Sequence, residues 1–208
     1  MMVTQYVKSV FLFVVMSSAI CLSFTLSALE EPKPVTINED FNGVKGSFSQ
    51  YKSIKPLKRP FQSSGSFIYI PNKGLQWHTQ QPVDSVKLFT NHGVYKVDEQ
   101  GELQKEAQID NDFFLALFAA DEQKLKTYFI VEEVNSNQNN QPPCLALTPK
   151  NGTMKSLFKR INLCVSKHNS GAKVPSKIEL IDTKGNETRI QLQLLSEQIS
   201  PEELSYFE

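Results

Sequence analysis

The 208-residue sequence lacks most features by which catalytic and metal-binding proteins are recognised. Its three histidines, His78, His92 and His168, stand apart with no carboxylate or cysteine at ligand spacing, which argues against a zinc site. No Gly-x-Ser-x-Gly elbow and no phosphate-cradling glycine loop occurs. Asp110-Asn111-Asp112 begins like a calcium loop but lacks the later glycine and glutamate, so we interpret it as helix capping. We therefore expect no metal, no cofactor and no enzymatic activity.

Charge of one sign is not in excess either. Lysine and arginine number 22, and aspartate and glutamate also number 22. A balanced chain has no general basic field to attract a phosphate backbone, so we expect no nucleic-acid partner.

Long apolar runs are scarce. Residues 10–20 form an unbroken run of apolar and small side chains, which is short of the roughly 20 residues that span a membrane. The run follows Lys8, a lone charge, and precedes the small pair Ser27-Ala28, as in a secretory signal peptide. We predict a signal peptide over residues 1–28 and one mature domain over residues 29–208. The alternative is that the run stays uncleaved as a membrane anchor.

Cysteine is scarce as well, with three residues, and one of them, Cys21, lies in the predicted leader. The bulky Ile20 before it argues against lipidation of that cysteine. Export to an oxidising compartment would leave Cys144 and Cys164. Their segments could pair as a hairpin around Asn151-Gly152, which would bring the thiols together. The two are disulfide candidates, with two buried free thiols as the alternative.

Alternating side chains predict a domain made mainly of β-strands. Residues 65–77 form a hairpin around Pro71-Asn72-Lys73-Gly74, with Phe67 and Tyr69 on one face and Ile68 and Ile70 on the other. Since both faces are apolar, each needs cover from a helix, a partner or an apolar ligand. Further strands are predicted over residues 46–53, 83–90, 93–97, 102–109, 128–134, 144–149, 159–165, 178–181 and 188–194.

Between the strands the period changes to that of a helix. Phe113, Phe114, Leu117 and Phe118 recur at helical spacing, and a second helical turn starts at Asp121. A helix with three phenylalanines inside an antiparallel β protein must lie on a sheet face. The pattern therefore predicts a strongly curled sheet wrapped around a helix. Shorter helices are predicted over residues 38–41 and from Ser200 onwards.

Fourteen phenylalanines are many for this length. Each large ring alone would be interpreted as core, but together they exceed what strand alternation packs around one tight centre. We expect a cavity between sheet and helix that shelters an acyl chain, because removing 16 carbons from water is worth roughly 12 kcal/mol. The rings expected to line it are Phe48, Phe67, Tyr69, Trp77, Phe89, Tyr95, Phe113, Phe114, Phe118, Phe129 and Phe158.

Four short motifs occur in order: Gly46-x-Phe48-x-Gln50, Ser64-Gly65-x-Phe67-x-Tyr69, Gly74-Leu75-x-Trp77 with Pro82, and Leu145-x-Leu147-x-Pro149. Their order and spacing resemble the periplasmic outer-membrane lipoprotein carrier (LolA-like) family, over roughly Asn38 to Phe207. The resemblance implies an unclosed antiparallel β-barrel with a helical lid over a hydrophobic cavity. It also adds Leu75, Leu117, Leu145 and Leu147 to the candidate lipid-binding residues, and it matches residues 113–118 to the lid.

Two departures from the family pattern indicate a divergent paralogue. Well-studied members carry an arginine just before the hairpin turn, which ties lid to barrel, whereas this chain has Tyr69-Ile70-Pro71-Asn72 there and Lys73 as the nearest cation. The sequence also ends at Glu208, short of the extra strand and tail of those members.

The resemblance implies a periplasmic, monomeric carrier that takes an acylated lipoprotein or lipid cargo from an inner-membrane exporter to an outer-membrane acceptor. We expect release by a lid motion of residues 112–126. Three alternatives remain: a membrane-anchored assembly factor of the cell envelope that uses its apolar face on a protein partner, a chaperone for export of a glycolipid or polyene product, and a lipid-modifying enzyme.

Overall fold

The computed structural model describes residues 43–106, 111–134, 142–150, 152–167 and 173–207. The predicted leader, residues 1–28, and the predicted short helix, residues 38–41, lie outside these ranges. Within them, no helix combines the length and the apolar character needed to cross a membrane.

Strands dominate the described residues. In chain order they are β1 Val44–Ser53, β2 Phe61–Ile70, β3 Gly74–Gln81, β4 Ser85–Thr90, β5 Gly93–Val97, β6 Leu103–Lys105, β7 Phe129–Val134, β8 Cys144–Pro149, β9 Phe158–Lys167, β10 Lys173–Asp182 and β11 Glu187–Ser196. The helices are α1 Asp112–Phe118, α2 Glu122–Tyr128, α3 Gly152–Leu157 and α4 Pro201–Leu204, and a 3-10 turn follows at Ser205–Phe207.

All eleven strands join one antiparallel sheet in the order β6-β5-β4-β3-β2-β1-β11-β10-β9-β8-β7. The terminal strands β6 and β7 do not pair with each other in the described part of the chain, so the sheet is an unclosed barrel, as predicted. The chain between these two edge strands contains α1 and α2. The two helices therefore belong to the connection that links the two open edges of the sheet.

The sheet curls strongly around α1. Phe89 lies on β4, third from one end of the strand order, and Phe158 lies on β9, third from the other. Yet Phe89 lies 5.7 Å from Phe114 and Phe158 lies 5.7 Å from Phe113, measured between ring centroids. Strands so far apart in the order can meet neighbouring rings of one helix only if the sheet wraps around it.

Several elements differ from the sequence-based expectation: β2 begins four residues earlier, at Phe61, and β6 ends at Lys105. The largest differences lie between β8 and β10. The predicted turn at Asn151-Gly152 is replaced by α3, which begins at Gly152 and buries Met154 in the core. Strand β10 begins at Lys173, earlier than predicted, and includes Pro175. Pro175 stands next to a register shift in the β9–β10 pairing, which is where a residue without an N–H is tolerated in a sheet.

The second apolar face of the predicted hairpin is covered by the C-terminal segment. Ile68 and Ile70 of β2 are buried together with Ile199, and Leu204 and Phe207 pack on them. Helix α4 begins at Pro201 with Ser200 as its N-cap, where the sequence predicts a short helix. A capping box closes this end, because the Ser200 hydroxyl accepts from the Glu203 amide and the Glu203 carboxylate accepts from the Ser200 amide.

Glu203 also fastens this segment to the sheet. Both of its carboxylate oxygens accept from the Lys45 ammonium of β1 at 2.8 Å. The pKa of the Glu203 carboxyl lies below its ordinary value, chiefly because of this hydrogen bond. A lowered folded-state pKa means that the stabilisation is complete above the ordinary value of 4.5 and is lost as the pH falls through the folded-state value.

We therefore expect acidification to loosen the C-terminal segment from β1 and β2. Between pH 7 and pH values below the ordinary pKa of 4.5, NMR signals of the Ile199 and Phe207 side chains should shift toward those of a detached segment. Glu203→Gln should show the same shift already at pH 7. The ion pair is partly exposed, so its loss should cost at most about 1 kcal/mol. Signals in Glu203→Gln that match the wild type at pH 7 would contradict the role given to this pair.

Candidate functional site

The first group of rings on the concave face is centred on Trp77. The Phe48 and Trp77 rings stack with centroids 3.7 Å apart and planes 23° apart. Phe118 of α1 meets the edge of Trp77 at 5.6 Å and also lies 6.1 Å from Phe67. Strands β1, β2 and β3 thus supply three rings that receive the last residue of α1.

Two glycines make this stacking possible. The β2 residue opposite Phe48 is Gly65, which has no side chain to keep Phe48 on β1 apart from Trp77 on β3. Gly46 pairs with Phe67, and a Cβ built on Gly46 would lie 2.8 Å from that ring. A ring that covers a glycine on the next strand is a recurrent way to fill a sheet face. The Gly-x-Phe motifs therefore have a packing role.

The second group of rings is centred on Phe113, which is fully buried. Its ring centroid lies 4.0 Å from Phe114, 5.7 Å from Phe158 and 6.4 Å from Phe129. Phe114 in turn contacts Phe89. One short helix thereby joins ring groups from both halves of the sheet.

Helix α1 is tethered to the sheet at its N-terminus by Asn111. The Asn111 side chain does not cap the helix as expected from the sequence, but donates to the backbone carbonyl of Thr90 at the end of β4. Asp110, another expected cap, lies outside the described residues. For α2 the expectation is confirmed, because the Asp121 carboxylate accepts from the amides of Gln123 and Lys124.

We expect Asn111→Ala to loosen α1. Asn111 is only 7% exposed, and losing its bond to the Thr90 carbonyl should cost about 1–2 kcal/mol. Hydrogen exchange at the Leu115 amide, which donates to the Asn111 carbonyl, should accelerate about tenfold. Asp121→Ala is the matched control, since it removes the cap of α2 and should speed exchange at Leu125 instead. Unchanged Leu115 exchange in Asn111→Ala would refute the tether.

The rings named above pack against one another between α1 and the sheet, in the region where the sequence predicts a cavity. A cavity of about 180 Å³ lies near the ends of β7 to β10, beside the start of α2, and is lined by Ala120, Glu122, Glu133, Val134, Pro143, Cys144, Leu145, Val165, Lys167 and Lys173. Its volume suits a group about the size of benzene and is below the 300 Å³ at which sites for drug-sized ligands begin. Of the predicted lipid-binding residues, this cavity includes only Leu145. The conformation described here is closed around α1.

A smaller cavity of about 120 Å³ lies where the β2–β3 turn meets the junction of α1 and α2. Tyr69 lines it together with Leu115, Asp121 and Lys124. Burial, and then the negative charge of Asp121, raise the pKa of Tyr69 to about 12. At the hairpin segment where well-studied family members carry an arginine, this chain therefore places the neutral phenol of Tyr69 near the start of α2.

Most predicted lipid-binding residues come together in one core. Buried in it are Phe67, Leu75, Phe113, Leu117, Phe118, Phe129, Leu145 and Leu147, while Tyr69, Trp77, Phe89, Phe114 and Phe158 pack against it half-buried. Phe48 is buried and joins through Trp77.

Tyr95 is the exception among the predicted residues. It pairs with Leu88, which pairs with Gln76, whereas Phe89 pairs with Leu75. Since neighbours in register share a sheet face, Tyr95 lies on the face opposite Phe89, with the Lys105 ammonium 5.9 Å from its ring centroid. The assignment of Tyr95 to the interior was wrong, because the turn before β5 sets which residues of that strand face inward.

Sequence reasoning also missed part of this core. Ile161 and Leu163 of β9 and Ile178 of β10 are buried in it, as is Leu125 of α2. The alternation of apolar residues in β9 was visible in the sequence and could have identified Ile161 and Leu163.

The structure joins Cys144 and Cys164 by a disulfide. The two residues are direct partners in the β8–β9 pairing, so the bond crosses two neighbouring strands. Among the described residues, no group of three or more histidine, cysteine or carboxylate side chains is placed to hold a metal ion.

Solved structures similar to this chain have low sequence identity to it. A LolA superfamily protein from Nitrosomonas europaea is 8% identical, with a TM-score of 0.43 over 81% of this chain and 90% of that chain. The MucA/MucB complex of Pseudomonas aeruginosa gives 14% identity and a TM-score of 0.44 over 79% of this chain and 56% of that one. This chain thus spans little more than half the length of the MucB chains that it matches.

Curated protein sequences contain no match to this chain. The family model "Outer membrane lipoprotein carrier protein LolA" matches residues 39–205, which includes every strand and helix described above up to α4. The chain therefore belongs to the LolA family.

Proposed function

We propose that this protein is a periplasmic carrier that shelters the acyl chains of a lipoprotein or lipid-like cargo and moves the cargo from the inner to the outer membrane. At the level of the family, the role is that of a carrier or binding protein for hydrophobic cargo. The cargo, the route and the two membrane partners are part of the proposal.

The observation that carries the proposal is the position of α1. This helix has seven residues, belongs to the connection between the two unpaired edge strands, and occupies the concave side of the curled sheet. An isolated helix of this length is not stable in water, so its place depends on side-chain packing and on the Asn111 tether. Such an element can leave the sheet without breaking any strand pairing.

The packing that holds α1 is also the packing that an acyl chain can replace. Phe113, Phe114 and Phe118 contact the sheet through their aromatic rings. If an acyl chain takes the place of these rings, one apolar contact replaces another of similar free energy. Cargo gains shelter for its chain at roughly 0.8 kcal/mol per methylene, while the sheet keeps an apolar cover. Cargo contacts made only in the open state would shift the population toward it.

The test measures binding of a synthetic lipopeptide with two palmitoyl chains by native mass spectrometry. Wild-type protein should retain the lipopeptide, and Phe114→Asp should weaken retention at least tenfold. Phe114 is half-buried, so this variant should fold, with a smaller loss in the free energy of unfolding than in that of binding. Leu103→Asp, an exposed position on β6, is the control and should change neither.

Equal losses of binding and stability in Phe114→Asp would mean that the rings are ordinary core, and the proposal would fail. Failure of the wild type to hold the lipopeptide would do the same. Extraction of the material that accompanies the freshly purified protein distinguishes lipoprotein, glycolipid and polyene cargo by mass. N-terminal sequencing in the same experiment distinguishes a protein processed near Leu29 from an anchored one.

A further inference from the structure

The positive charge of this balanced chain is concentrated at one hairpin. Between residues 41 and 83 the sequence contains no aspartate or glutamate, although the whole chain has 22. Four cations of this stretch, Lys52, Lys55, Lys58 and Arg59, lie within eight residues at the tip of the β1–β2 hairpin. A local excess of positive charge in a chain of zero net charge indicates a surface that binds a negatively charged partner.

Two other connections join this tip at the same end of the sheet. The Lys55 amide donates to the Asn186 side chain at 3.0 Å, which links the tip to the β10–β11 turn. The Thr183 amide of that turn donates at 3.3 Å to the carbonyl of Leu157, the last residue of α3. We call the surface formed by residues 52–61, 155–159 and 183–186 the basic tip.

Further cations enter the basic tip from these connections. A Cβ built on Gly185 would lie 3.6 Å from the Lys55 ammonium and 4.0 Å from the Lys159 ammonium, so charges from two connections flank one turn. Lys184 lies in the same turn. Ammonium groups brought together in this way repel each other, and an anion placed between them relieves the repulsion.

The carboxylates beside the basic tip are already engaged. Asp182 accepts from the backbone and side-chain nitrogens of Asn186, at 2.8 and 2.7 Å. Glu187 pairs with Arg189 at 2.7 Å. Within the described ranges, neither Lys58 nor Arg59 forms an ion pair, so their charge is available to a partner.

Large apolar side chains stand exposed among these cations. Leu57 is 53% exposed and Phe61 is 59% exposed at the hairpin tip, and Leu157 at the end of α3 is 42% exposed. In the neighbouring β3–β4 connection Val83 is 71% exposed. Exposed apolar residues gathered at one end of a domain indicate a contact surface. Leu57 is followed directly by Lys58, and Phe61 and Leu157 each lie two residues from a cation, whereas Val83 is followed by Asp84.

We propose that the basic tip docks on the surface of a membrane that contains anionic phospholipids. Leucine and phenylalanine that project from loops can enter the interface between headgroups and acyl chains, while the adjacent lysines and Arg59 remain at the phosphates. A soluble acidic protein would also be attracted by the cations. The apolar contact surface of such a protein, however, would fit a flat patch better than apolar side chains that project from separate loops. Docking of the basic tip does not depend on bound cargo, and it is a property beyond the proposed function.

Vesicle flotation tests the charge. The full chain should float with vesicles of phosphatidylglycerol and phosphatidylethanolamine and far less with vesicles of phosphatidylcholine alone. Each cation near such a surface is worth about 1 kcal/mol, so Lys58→Ala/Arg59→Ala should bind about 30-fold more weakly. Binding should also weaken between about 0.1 and 1 M salt, as the Debye length shortens from about 10 to about 3 Å.

A second variant tests insertion. Leu57→Ser/Phe61→Ser should lose about tenfold in vesicle binding, because two apolar side chains no longer leave water. The matched controls are Lys96→Ala/Lys124→Ala and Leu195→Ser, which remove exposed cations and an exposed leucine outside the basic tip and should bind as the wild type does. Both tip variants should retain the lipopeptide and keep the wild-type unfolding midpoint. A failure of the membrane-docking proposal can therefore be distinguished from a failure of the proposed carrier function.

The proposal is overturned if the tip variants float as the wild type does, since another segment, such as the apolar run 10–20, would then bind the vesicles. It is also overturned if the wild type binds phosphatidylcholine equally well, or binds an acidic protein but no vesicle.

Discussion

Replacing Phe113 with alanine is expected to lower the free energy of unfolding by about 3–5 kcal/mol, the largest effect that the structure predicts. The ring is fully buried and contacts Phe114, Phe129 and Phe158, which come from α1, β7 and β9. Truncation removes the transfer free energy of the ring and leaves a cavity that three separate elements cannot close together. Urea unfolding followed by circular dichroism measures the loss.

The control for this measurement is Phe61→Ala. Phe61 is 59% exposed, so the same truncation should change stability by no more than about 0.5 kcal/mol. A loss below about 1 kcal/mol in Phe113→Ala would mean that α1 does not occupy the concave side of the sheet in solution. The closed state, and with it the account of cargo exchange, would then be wrong.

Removing the disulfide is expected to have the second-largest effect. The bonded cysteines are 20 residues apart, and closing a loop of this length in the unfolded chain is worth about 3 kcal/mol in the chain-entropy account. Cys144→Ser/Cys164→Ser should lose this amount in urea unfolding. The bond also ties β8 to β9 next to the edge strand β7, so the loss should be accompanied by faster hydrogen exchange in β7 and β8.

Reduction of the wild type provides the independent check. Unfolding in the presence of dithiothreitol should reproduce the stability of Cys144→Ser/Cys164→Ser, and dithiothreitol should not change the variant further. A wild type whose unfolding midpoint is unaffected by reduction would contradict a stabilising role for the bond.

In the proposed function the same rings serve closure and cargo binding, so the two processes compete. Phe113 is fully buried, whereas Phe114 on the same helix is only half-buried, so the Phe114 ring is the easier of the two to displace from the sheet. A carrier built in this way balances its affinity for cargo against the stability of its empty state. A tighter closed state would raise stability and lower cargo affinity by the same free energy.

Local patterns were sufficient to predict most elements. The alternation of Ile190, Leu192 and Leu194 with exposed glutamines holds in β11, and β8 has the predicted bounds Cys144–Pro149. The helical spacing of Phe113 and Phe118 correctly identified α1. These predictions succeeded because each of these elements has one apolar face, and the period of that face can be read from consecutive residues.

Other features depended on distant contacts. Helix α3 has six residues, too few for a helical period to show, and it is held by Met154 in the core. The face of Tyr95 depends on the register across the preceding turn, which no single strand reveals. The cover on Ile68 and Ile70 comes from Ile199, more than a hundred residues away in the chain.

By itself, the sequence determined the strand-rich class, the aromatic helix, the proximity of the two cysteines and the family, because these follow from local periodicity and motif order. Only the tertiary structure decided which rings of the sheet pack against α1 and how closely they do so. The reason is physical: the volume inside a curled sheet depends on its curvature and on how rings from opposite halves interlock, and neither is encoded within any one segment. The clustering of cations and exposed apolar residues into one tip was decided in the same way, by three connections that the fold brings together.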